Sequence, residues 1–267
     1  MKIISLNTFA GTFFEPLMEF IKDHAENTDI FCFQEITNTD DPITVSRGAR
    51  ANLFAEVSLL LSDFQGYFSP SQLHFVPTGW TPDNVEFGHA FFIRRNLEVK
   101  AIGHFFLFRE RDSMVPDDPK TTPFQLQYTQ LTIGETFLTI CNVHGVFWPV
   151  NKLDSPERLV QSQKIIDFLQ DQPGEKIICG DFNLFPNTKS IQMLEEYGLR
   201  NLIKDYHIQT TRGSLIKRLH PEYVDTPEGF QEFADYMFAS SGIEVKKFEV
   251  PDVPVSDHLP MVGEFDV

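Results

Sequence analysis

The feature that most limits how this sequence can fold is a set of apolar runs bordered by polar side chains. In five places these polar residues are carboxylates, amides or imidazoles: Asn7; Gln34 and Glu35; Asn142 and His144; Asp181 and Asn183; Asp257 and His258. Taken singly, each place has an ordinary explanation, because Asp and Asn after a strand often hydrogen-bond to nearby backbone. Five such places in one chain make a common site at several strand ends the simpler hypothesis.

The apolar runs predict strands, and other segments have the period of a helix. Apolar residues recur every 3.6 residues in the segment 15–26, and Ser155 followed by Pro156 is typical of a helix start. We expect helices at 15–26, 50–61, 156–170 and 188–196. We expect strands at 3–6, 29–35, 64–69, 87–93, 98–108, 124–133, 136–142, 175–179, 234–239, 243–250 and 261–266, with an irregular stretch at 203–232.

Predicted helices flank two groups of predicted strands. This order favours an α/β fold in which two mixed β-sheets pack together with helices outside them. The chain has 267 residues, 42% of them hydrophobic, which is enough for one large core. We find no repeat, low-complexity tract or linker that divides it. We therefore expect a single domain over residues 1–267.

The charge of the chain restricts its partners. Lys and Arg number 22 against 38 Asp and Glu, a formal net charge of −16. Such a chain repels a polyanion unless bound cations or local basic loops reverse the field at the site. Duplex DNA is therefore disfavoured as a substrate, although nucleic acid as a class stays open.

Cysteine usage and hydropathy bear on the compartment. Cys32, Cys141 and Cys179 each lie within an apolar run, which indicates small buried side chains rather than a disulfide framework or a zinc site. The first residues do not have the pattern of a signal peptide, and no run of about 18 apolar residues occurs. We expect a cytoplasmic monomer without integral membrane association.

The polar residue types together fit phosphoester hydrolysis. The reaction needs a water in line with the leaving oxygen and a cation that neutralises the phosphate oxygens, which Glu35 and Asp257 are suited to hold. An ionised Asp181 can accept a proton from that water. Asn183, on the same side of an extended chain, can hold the water or a phosphate oxygen. Phe182 between them is expected to point into the core.

Six motifs form an ordered set over almost the whole chain: Asn7, Gln34-Glu35, Asn142-x-His144, Gly180-Asp181-Phe182-Asn183, Asp235-Tyr236 and Ser256-Asp257-His258-x-Pro260. This set resembles the endonuclease/exonuclease/phosphatase superfamily with the DNase I-like fold. The resemblance implies a four-layer α/β/β/α sandwich. It also implies a Mg²⁺-dependent phosphodiesterase or phosphatase, with Mn²⁺ as an alternative metal.

The resemblance further implies roles around the metal and the attacking water. Glu35 would be the principal metal ligand, with Asn7 and Asp257 nearby. Asp181 would align the water, and Asn183 would stabilise the pentacoordinate phosphorus.

Three more residues receive roles in the same way. His144 and His258 would contact the phosphate and assist proton transfer. Asp235 would orient His258, because an imidazole needs an acceptor that fixes its tautomer.

Substrate contacts are expected from residues in or beside the long loops at 76–88, 109–123, 145–157 and 203–232. Many members of the superfamily carry Gly-Asn-Ala where this chain has Gly88-His89-Ala90, so a third histidine could enter the site or lie at its rim. The residues predicted to bind substrate are His89, Arg158, Arg212, Trp80 and Trp148, with Lys217 and Arg218 as further candidates. An ordinary surface helix would use Arg158 in the same way, and an ordinary solvated loop is the alternative for Arg212, Lys217 and Arg218.

The function predicted from the sequence is metal-dependent hydrolysis of a small or single-stranded phosphoester. One alternative is a nuclease that acts on DNA or RNA. Another is a non-catalytic binding or scaffold protein of the same fold. The presence of Glu35, Asp181 and His258 together favours catalysis, because a scaffold would tolerate their loss.

Overall fold

A computed structural model describes residues 1–40, 48–77, 79–81, 84–219 and 231–267. Its strands are β1 (Lys2–Asn7), β2 (Ile30–Asn38), β3 (Phe64–Leu73), β4 (Phe75–Val76), β5 (Gly79–Trp80), β6 (Glu86–Arg94), β7 (Glu98–Phe108), β8 (Phe124–Ile133), β9 (Thr136–His144), β10 (Glu175–Asp181), β11 (Leu199–Asn201), β12 (Asp235–Ser240), β13 (Glu244–Glu249) and β14 (Met261–Asp266). Its helices are α1 (Phe14–Ala25), α2 (Leu53–Leu60), α3 (Pro156–Gln170), α4 (Lys189–Glu196), α5 (Leu202–Asp205) and α6 (Ser214–Leu219), with 3₁₀ helices at Phe9–Gly11 and Pro119–Thr121.

The strands form two six-stranded mixed sheets and a small hairpin. The first sheet has the order β13-β14-β1-β2-β6-β3, and the second has the order β11-β12-β10-β9-β8-β7. β1 pairs parallel with β2, and β9 pairs parallel with β10, whereas the other pairs are antiparallel. Each sheet thus has two central strands whose carboxyl ends lie side by side.

The two sheets pack face to face, and each carries helices on its outer face. Along β1, Ile3 packs in the cluster that joins the sheets, whereas Ile4 packs in the cluster beneath α1 and α2. Successive side chains of a strand point to opposite faces, so apolar runs such as this one are buried on both sides. Ile165 of α3 and Ile191 of α4 are buried against the second sheet. The layers are therefore α/β/β/α, as predicted.

The predicted elements are confirmed in type and order, with differences in detail. The hairpin of β4 and β5 was not predicted, and the helix expected at 50–61 begins at Leu53. The stretch 203–232 was expected to be irregular, but α6 lies within it and α5 overlaps its start; residues 220–230 of this stretch lie outside the described residues. Phe182 and the three cysteines are buried as predicted.

Within the described ranges, no helix is both long enough and apolar enough to span a bilayer.

Candidate active site

Four parallel strand ends, two from each sheet, meet at one edge of the sandwich. Asn7 ends β1 and Asp181 ends β10, and the Asn7 amide joins the sheets. Its Nδ2 donates to Glu35 Oε1 at 2.9 Å and to Asp181 Oδ2 at 3.3 Å. Its Oδ1 accepts from the Phe9 amide at 3.0 Å. Asn7 thus lies where the sequence predicted, but it presents N–H groups to two carboxylates rather than an oxygen to a metal.

The Glu35 side chain reaches the site because β2 bulges at this residue. The register of β2 against β6 shifts between Gln34 and Ile36, and Glu35 has φ +57°, in the left-handed region that non-glycine residues seldom adopt. A sparsely populated conformation held in this way is a common device for aiming a functional side chain. Burial and the nearby Asp257 carboxylate raise the pKa of Glu35 to about 7.

A second polar link between the sheets lies below these carboxylates. Gln34 Nε2 donates to Asn142 Oδ1 at 2.6 Å, and Asn142 Nδ2 donates to the Phe33 carbonyl at 3.0 Å. Gln34 and Asn142 are fully buried. Their hydrogen bonds fix the relative position of β2 and β9, which carry Glu35 and His144.

Asp181 is held by the backbone turn that follows β10. Gly180 has φ +133°, and a Cβ at this position would lie 2.1 Å from the Val143 carbonyl oxygen, so only glycine fits. The backbone N–H of Asn183 donates to Asp181 Oδ1 at 2.9 Å. Burial favours the neutral acid, but the positive charges of His258 and Lys152 outweigh it and lower the pKa of Asp181 to about 2. Asp181 is therefore ionised.

Asn183 reaches the site by a different route from the one predicted. The sequence suggested an extended chain from Asp181, whereas β10 ends at Asp181 and Asn183 has φ +55°. Its Nδ2 donates to the Gly145 carbonyl at 3.0 Å, and its Oδ1 accepts from Lys152 Nζ at 2.7 Å. The side chain still lines the cavity next to Asp181, because the tight turn brings it back.

Lys152 is a site residue that the sequence analysis missed. Its side chain is fully buried, and burial together with Arg212 lowers its pKa to about 7. A single lysine in a polar loop ordinarily indicates a solvated surface, and no periodic signal marks this one. Here its ammonium group donates to the amide oxygen of Asn183, and the amide nitrogen donates to the Gly145 carbonyl.

The placement of Arg158 corrects its predicted role in substrate binding. The residue is fully buried, and its guanidinium donates to the carbonyls of Val146, Phe147, Pro149 and Leu153. Donors used in this way are not available to a phosphate. Arg158 shapes the loop that carries Phe147 and Lys152, and it is not among the residues that line the cavity.

His258 and Asp235 form a buried hydrogen-bonded pair. His258 Nδ1 lies 2.9 Å from Asp235 Oδ1 and 2.8 Å from Oδ2, so the carboxylate fixes Nδ1 as the donor. The other ring nitrogen, Nε2, is left 3.6 Å from Asp181 Oδ2. Although burial and Arg212 disfavour the imidazolium, Asp235, Asp257 and Asp181 raise the pKa of His258 above its ordinary value.

Arg212 and Asp257 form a second buried pair at the cavity wall. Arg212 Nη1 lies 2.9 Å from Asp257 Oδ2, and the backbone of Arg212 pairs with that of His258. The sequence placed Arg212 on a mouth loop, and the structure places it deeper, among the carboxylates. The side chains of the neighbouring candidates Lys217 and Arg218 lie outside the described part of the chain.

The two remaining histidines lie one above the other. His144 Nε2 is 3.7 Å from Glu35 Oε1 and 3.9 Å from Asp181 Oδ2, and burial lowers its pKa to about 4. The His89 ring lies 5.8 Å from the His144 ring, buried beneath it, and burial likewise lowers its pKa. His144 lines the cavity, whereas His89 supports it from below and is not part of its lining.

These residues surround the base of a cavity of about 280 Å³. Its lining consists of Phe9, Glu35, Phe75, Pro77, Phe87, Met114, Pro119, Thr122, Phe124, His144, Phe147, Asp181, Asn183, Arg212, Asp257 and His258. The two tryptophans predicted to line a groove are not among them. Trp80 packs edge-on behind Phe75 at 6.1 Å, and Phe147 rather than Trp148 forms the wall.

The donor set fits a hard divalent cation, and Glu35 supplies the clearest sign. Its Oε2 is buried and has no hydrogen-bond partner among the described residues. An unsatisfied carboxylate oxygen beside two further acids, Asp181 and Asp257, is suited to a cation that prefers oxygen ligands. Asp181, Asp235 and His258 also offer ligand atoms within 4.8 Å of one another and could hold a metal. However, the hydrogen bonds between His258 and Asp235 already occupy that group.

A four-layer sandwich with acids, amides and imidazoles at one edge of its sheets is the arrangement found in the class of metal-dependent phosphoesterases and nucleases. The sequence profile of the Endonuclease/Exonuclease/phosphatase family matches residues 4–258, and the chain belongs to this family. The family consists of metal-dependent phosphoesterases and nucleases. The sequence has no significant match among curated proteins.

Solved structures with the same fold span the whole chain. A family member from Leptotrichia buccalis superposes with a TM-score of 0.71 at 18% identity, covering 100% of both chains. A mannosyl-6-phosphatase from Bacteroides thetaiotaomicron gives 0.68 at 15% identity, again covering 100% of both. The human Nocturnin catalytic domain with bound sulfate gives 0.64 at 17%, covering 100% of this chain and 93% of that one. At such identities the likeness establishes the fold.

Proposed function

We propose that this protein is a metal-dependent phosphoester hydrolase in which a water activated at Asp181 attacks phosphorus in line with the leaving oxygen. The observation that carries the proposal is the position of the ionised Asp181 carboxylate. It lies 3.6 Å from His258 Nε2 and 3.9 Å from His144 Nε2, beside the unpartnered oxygen of Glu35. A base, two imidazoles and a site for a cation are thus within one cavity.

Mg²⁺, with Mn²⁺ as an alternative, is the cofactor that the donor set suits. Glu35 and Asp257 would hold it, and Asn7 would orient Glu35 through its hydrogen bond at 2.9 Å. When bound, the ion supplies neutralisation of the charge on the phosphate oxygens. Asn7 stays a candidate ligand only if its side-chain amide flips by 180°. In the present orientation its Oδ1 accepts a hydrogen bond from the backbone N–H of Phe9.

The remaining residues of the site divide the work on water and phosphate. Asp181, ionised and acceptor-only, would take the proton of the attacking water. Asn183 would donate the second N–H of its side-chain amide to a phosphate oxygen, because Lys152 occupies the amide oxygen and the Gly145 carbonyl accepts from the amide nitrogen. His258, whose pKa is raised, would donate Nε2–H to the phosphate. His144, whose pKa is lowered to about 4, would act as a neutral ring.

The proposed substrate is small or single-stranded. A net charge of −16 and the small cavity, close to the lower end of the range of about 300–1,000 Å³ for small-molecule sites, both support this choice. A duplex nuclease gains much of its affinity by displacing counterions with a row of Lys and Arg side chains. In the described lining Arg212 is the one such residue, and it is paired with Asp257.

The test is a hydrolysis assay on metal-free protein to which Mg²⁺ or Mn²⁺ is returned. The panel comprises phosphomonoesters, small phosphodiesters, single-stranded oligonucleotides and plasmid duplex at equal phosphate concentration, each over a salt series. We expect turnover of small or single-stranded esters that depends on metal and is strongly reduced in Asp181→Asn. Efficient duplex cleavage that weakens steeply with salt would instead indicate a nuclease. Absence of both turnover and metal binding would indicate a scaffold.

A further inference from the structure

The cavity has two chemically different ends. Its base holds the acids, histidines and Arg212 described above, whereas its upper wall is apolar. The apolar residues are Phe9, Phe75, Pro77, Phe87, Met114, Pro119, Phe124 and Phe147. Thr122 provides the one side-chain hydroxyl among the described residues of that wall. Among these apolar residues, Phe9, Phe75, Pro77, Met114 and Phe147 are partly buried and Pro119 is exposed. Contiguous exposed apolar surface of this kind marks ligand-binding grooves.

The two ends meet at a defined contact between rings. Phe124 lies edge-on to His144, with ring centroids 5.3 Å apart and planes at 82°. Phe75 lies edge-on to Phe87 at 5.6 Å and 89°. A group attached to a phosphate at the polar base would therefore pass directly against aromatic rings.

The apolar wall is held in place by hydrogen bonds from outside the cavity. The loop that carries Met114 and Pro119 is tied to β3 because Leu73 N donates to Asp112 Oδ1 at 2.8 Å and Asp112 N donates to the Ser71 carbonyl at 3.1 Å. Met114 N also donates to Gln72 Oε1 at 3.2 Å. A wall fixed in this way is formed before substrate arrives, so little ordering opposes binding.

We propose that this apolar wall selects phosphoesters in which the phosphate carries a compact apolar ring. The inference rests on the proposed function, since it takes the phosphate to lie at the polar base. Burying a ring against the wall removes apolar surface from both partners. A sugar or other polyhydroxyl group would lose its hydrogen bonds to water there and find few side-chain partners in return.

The experiment compares phosphonates, which keep the phosphate charge but have no ester bond to hydrolyse. Binding is measured by calorimetry in the presence of Mn²⁺ and by competitive inhibition for methyl-, benzyl-, cyclohexylmethyl- and 2,3-dihydroxypropylphosphonate. We expect at least one ring compound to bind about tenfold more tightly than methylphosphonate. The dihydroxypropyl compound should bind no more tightly than methylphosphonate. The benzyl and cyclohexylmethyl arms distinguish an aromatic preference from a general apolar one. Equal binding of all four, or preference for the dihydroxypropyl compound, would overturn the inference.

Two substitutions on loops place the effect at the wall. Met114→Gln and Phe147→Ala should each remove most of the gain of the ring compounds while methylphosphonate affinity stays within about twofold. Phe137→Ala, at a residue that is 50% exposed and outside the cavity lining, is the matched control. Unchanged ring binding in both wall variants would contradict the proposal. Turnover without tighter binding of the ring compounds would reject the proposed selectivity of the wall but not the hydrolase function. Tighter binding of the ring compounds without any turnover would reject the hydrolase function but not the selectivity of the wall.

Discussion

The ammonium nitrogen of Lys152 lies 2.7 Å from the side-chain oxygen of Asn183, and both side chains are almost completely buried. Because an ammonium group only donates, this contact determines which end of the Asn183 amide faces the cavity. Lys152 is therefore a positioning residue for Asn183. Without it the orientation of the amide would depend only on the hydrogen bond from Asn183 Nδ2 to the Gly145 carbonyl at 3.0 Å.

Lys152→Met should lower kcat by about 10- to 100-fold with a smaller effect on KM. A poorly oriented Asn183 side-chain amide would stabilise the transition state less, and it would affect the bound substrate less strongly. The exposed Lys247→Met is the matched control. Steady-state kinetics on the best substrate of the panel make the comparison. In an Asn183→Ala background the same substitution should have little further effect, because the two residues act as one unit. Additive losses in the double variant would contradict the positioning role.

The lowered pKa of Lys152 also predicts how stability changes with pH. The folded protein releases this proton at about pH 7, whereas an unfolded lysine keeps it until about pH 10.4. Between these values the unfolded state binds more protons, so the free energy of unfolding should rise with pH relative to Lys152→Met. Urea unfolding of both proteins in EDTA from pH 7 to pH 9 tests this. If the free energy of unfolding of the parent protein relative to Lys152→Met stayed constant or fell with pH, the Lys152 ammonium would have its ordinary pKa.

Asp235→Asn should reduce kcat by about 10²-fold or more while the protein stays folded. An amide in place of the carboxylate can present an N–H to His258 Nδ1, which then accepts and leaves the single ring proton on Nε2 of a neutral imidazole. Without the negative charge of Asp235 the imidazolium is no longer stabilised, so Nε2–H would be a weaker, uncharged donor to the phosphate. Asp266→Asn, at an exposed acid of β14, is the control. Circular dichroism and kcat are measured together, and full activity in a folded variant would reject this role for Asp235.

The sequence predicted Asp181, Glu35 and His258 correctly as members of one cavity because each lies at an end of an apolar run, and strand ends converge when sheets pack. It could not predict that Glu35 and Asn183 depend on left-handed backbone, because neither is the glycine that usually marks such a position. Arg158 was assigned the wrong role and Lys152 was missed for a related reason. Whether a charged side chain in a loop faces water or the interior depends on long-range packing that has no local period.

Glu35→Gln should weaken Mg²⁺ binding and lower activity by roughly 100-fold. The substitution replaces a negatively charged ligand of the hard cation with a neutral side chain of nearly the same shape. Metal-free Glu35→Gln should melt no lower than the parent protein at pH 8. Burial raises the pKa of Glu35 to about 7, so above that pH the ionised carboxylate destabilises the folded state. Glu98→Gln, at an exposed acid, is the control. Calorimetry with unaltered Mg²⁺ affinity would show that another residue holds the metal.

Asp181→Asn separates activation of water from binding of substrate. The substitution removes the proton acceptor but keeps the size of the side chain. The backbone N–H of Asn183 can still donate to the side-chain oxygen at position 181. We expect kcat to fall by about 10²- to 10⁴-fold while KM changes little, because the acceptor matters mainly in the transition state. Equilibrium binding of methylphosphonate with Mn²⁺ should stay close to that of the parent protein, which excludes loss of the cavity as the cause. A raised KM with unchanged kcat would instead make Asp181 a substrate-binding residue, and the water would then need another base in the same cavity.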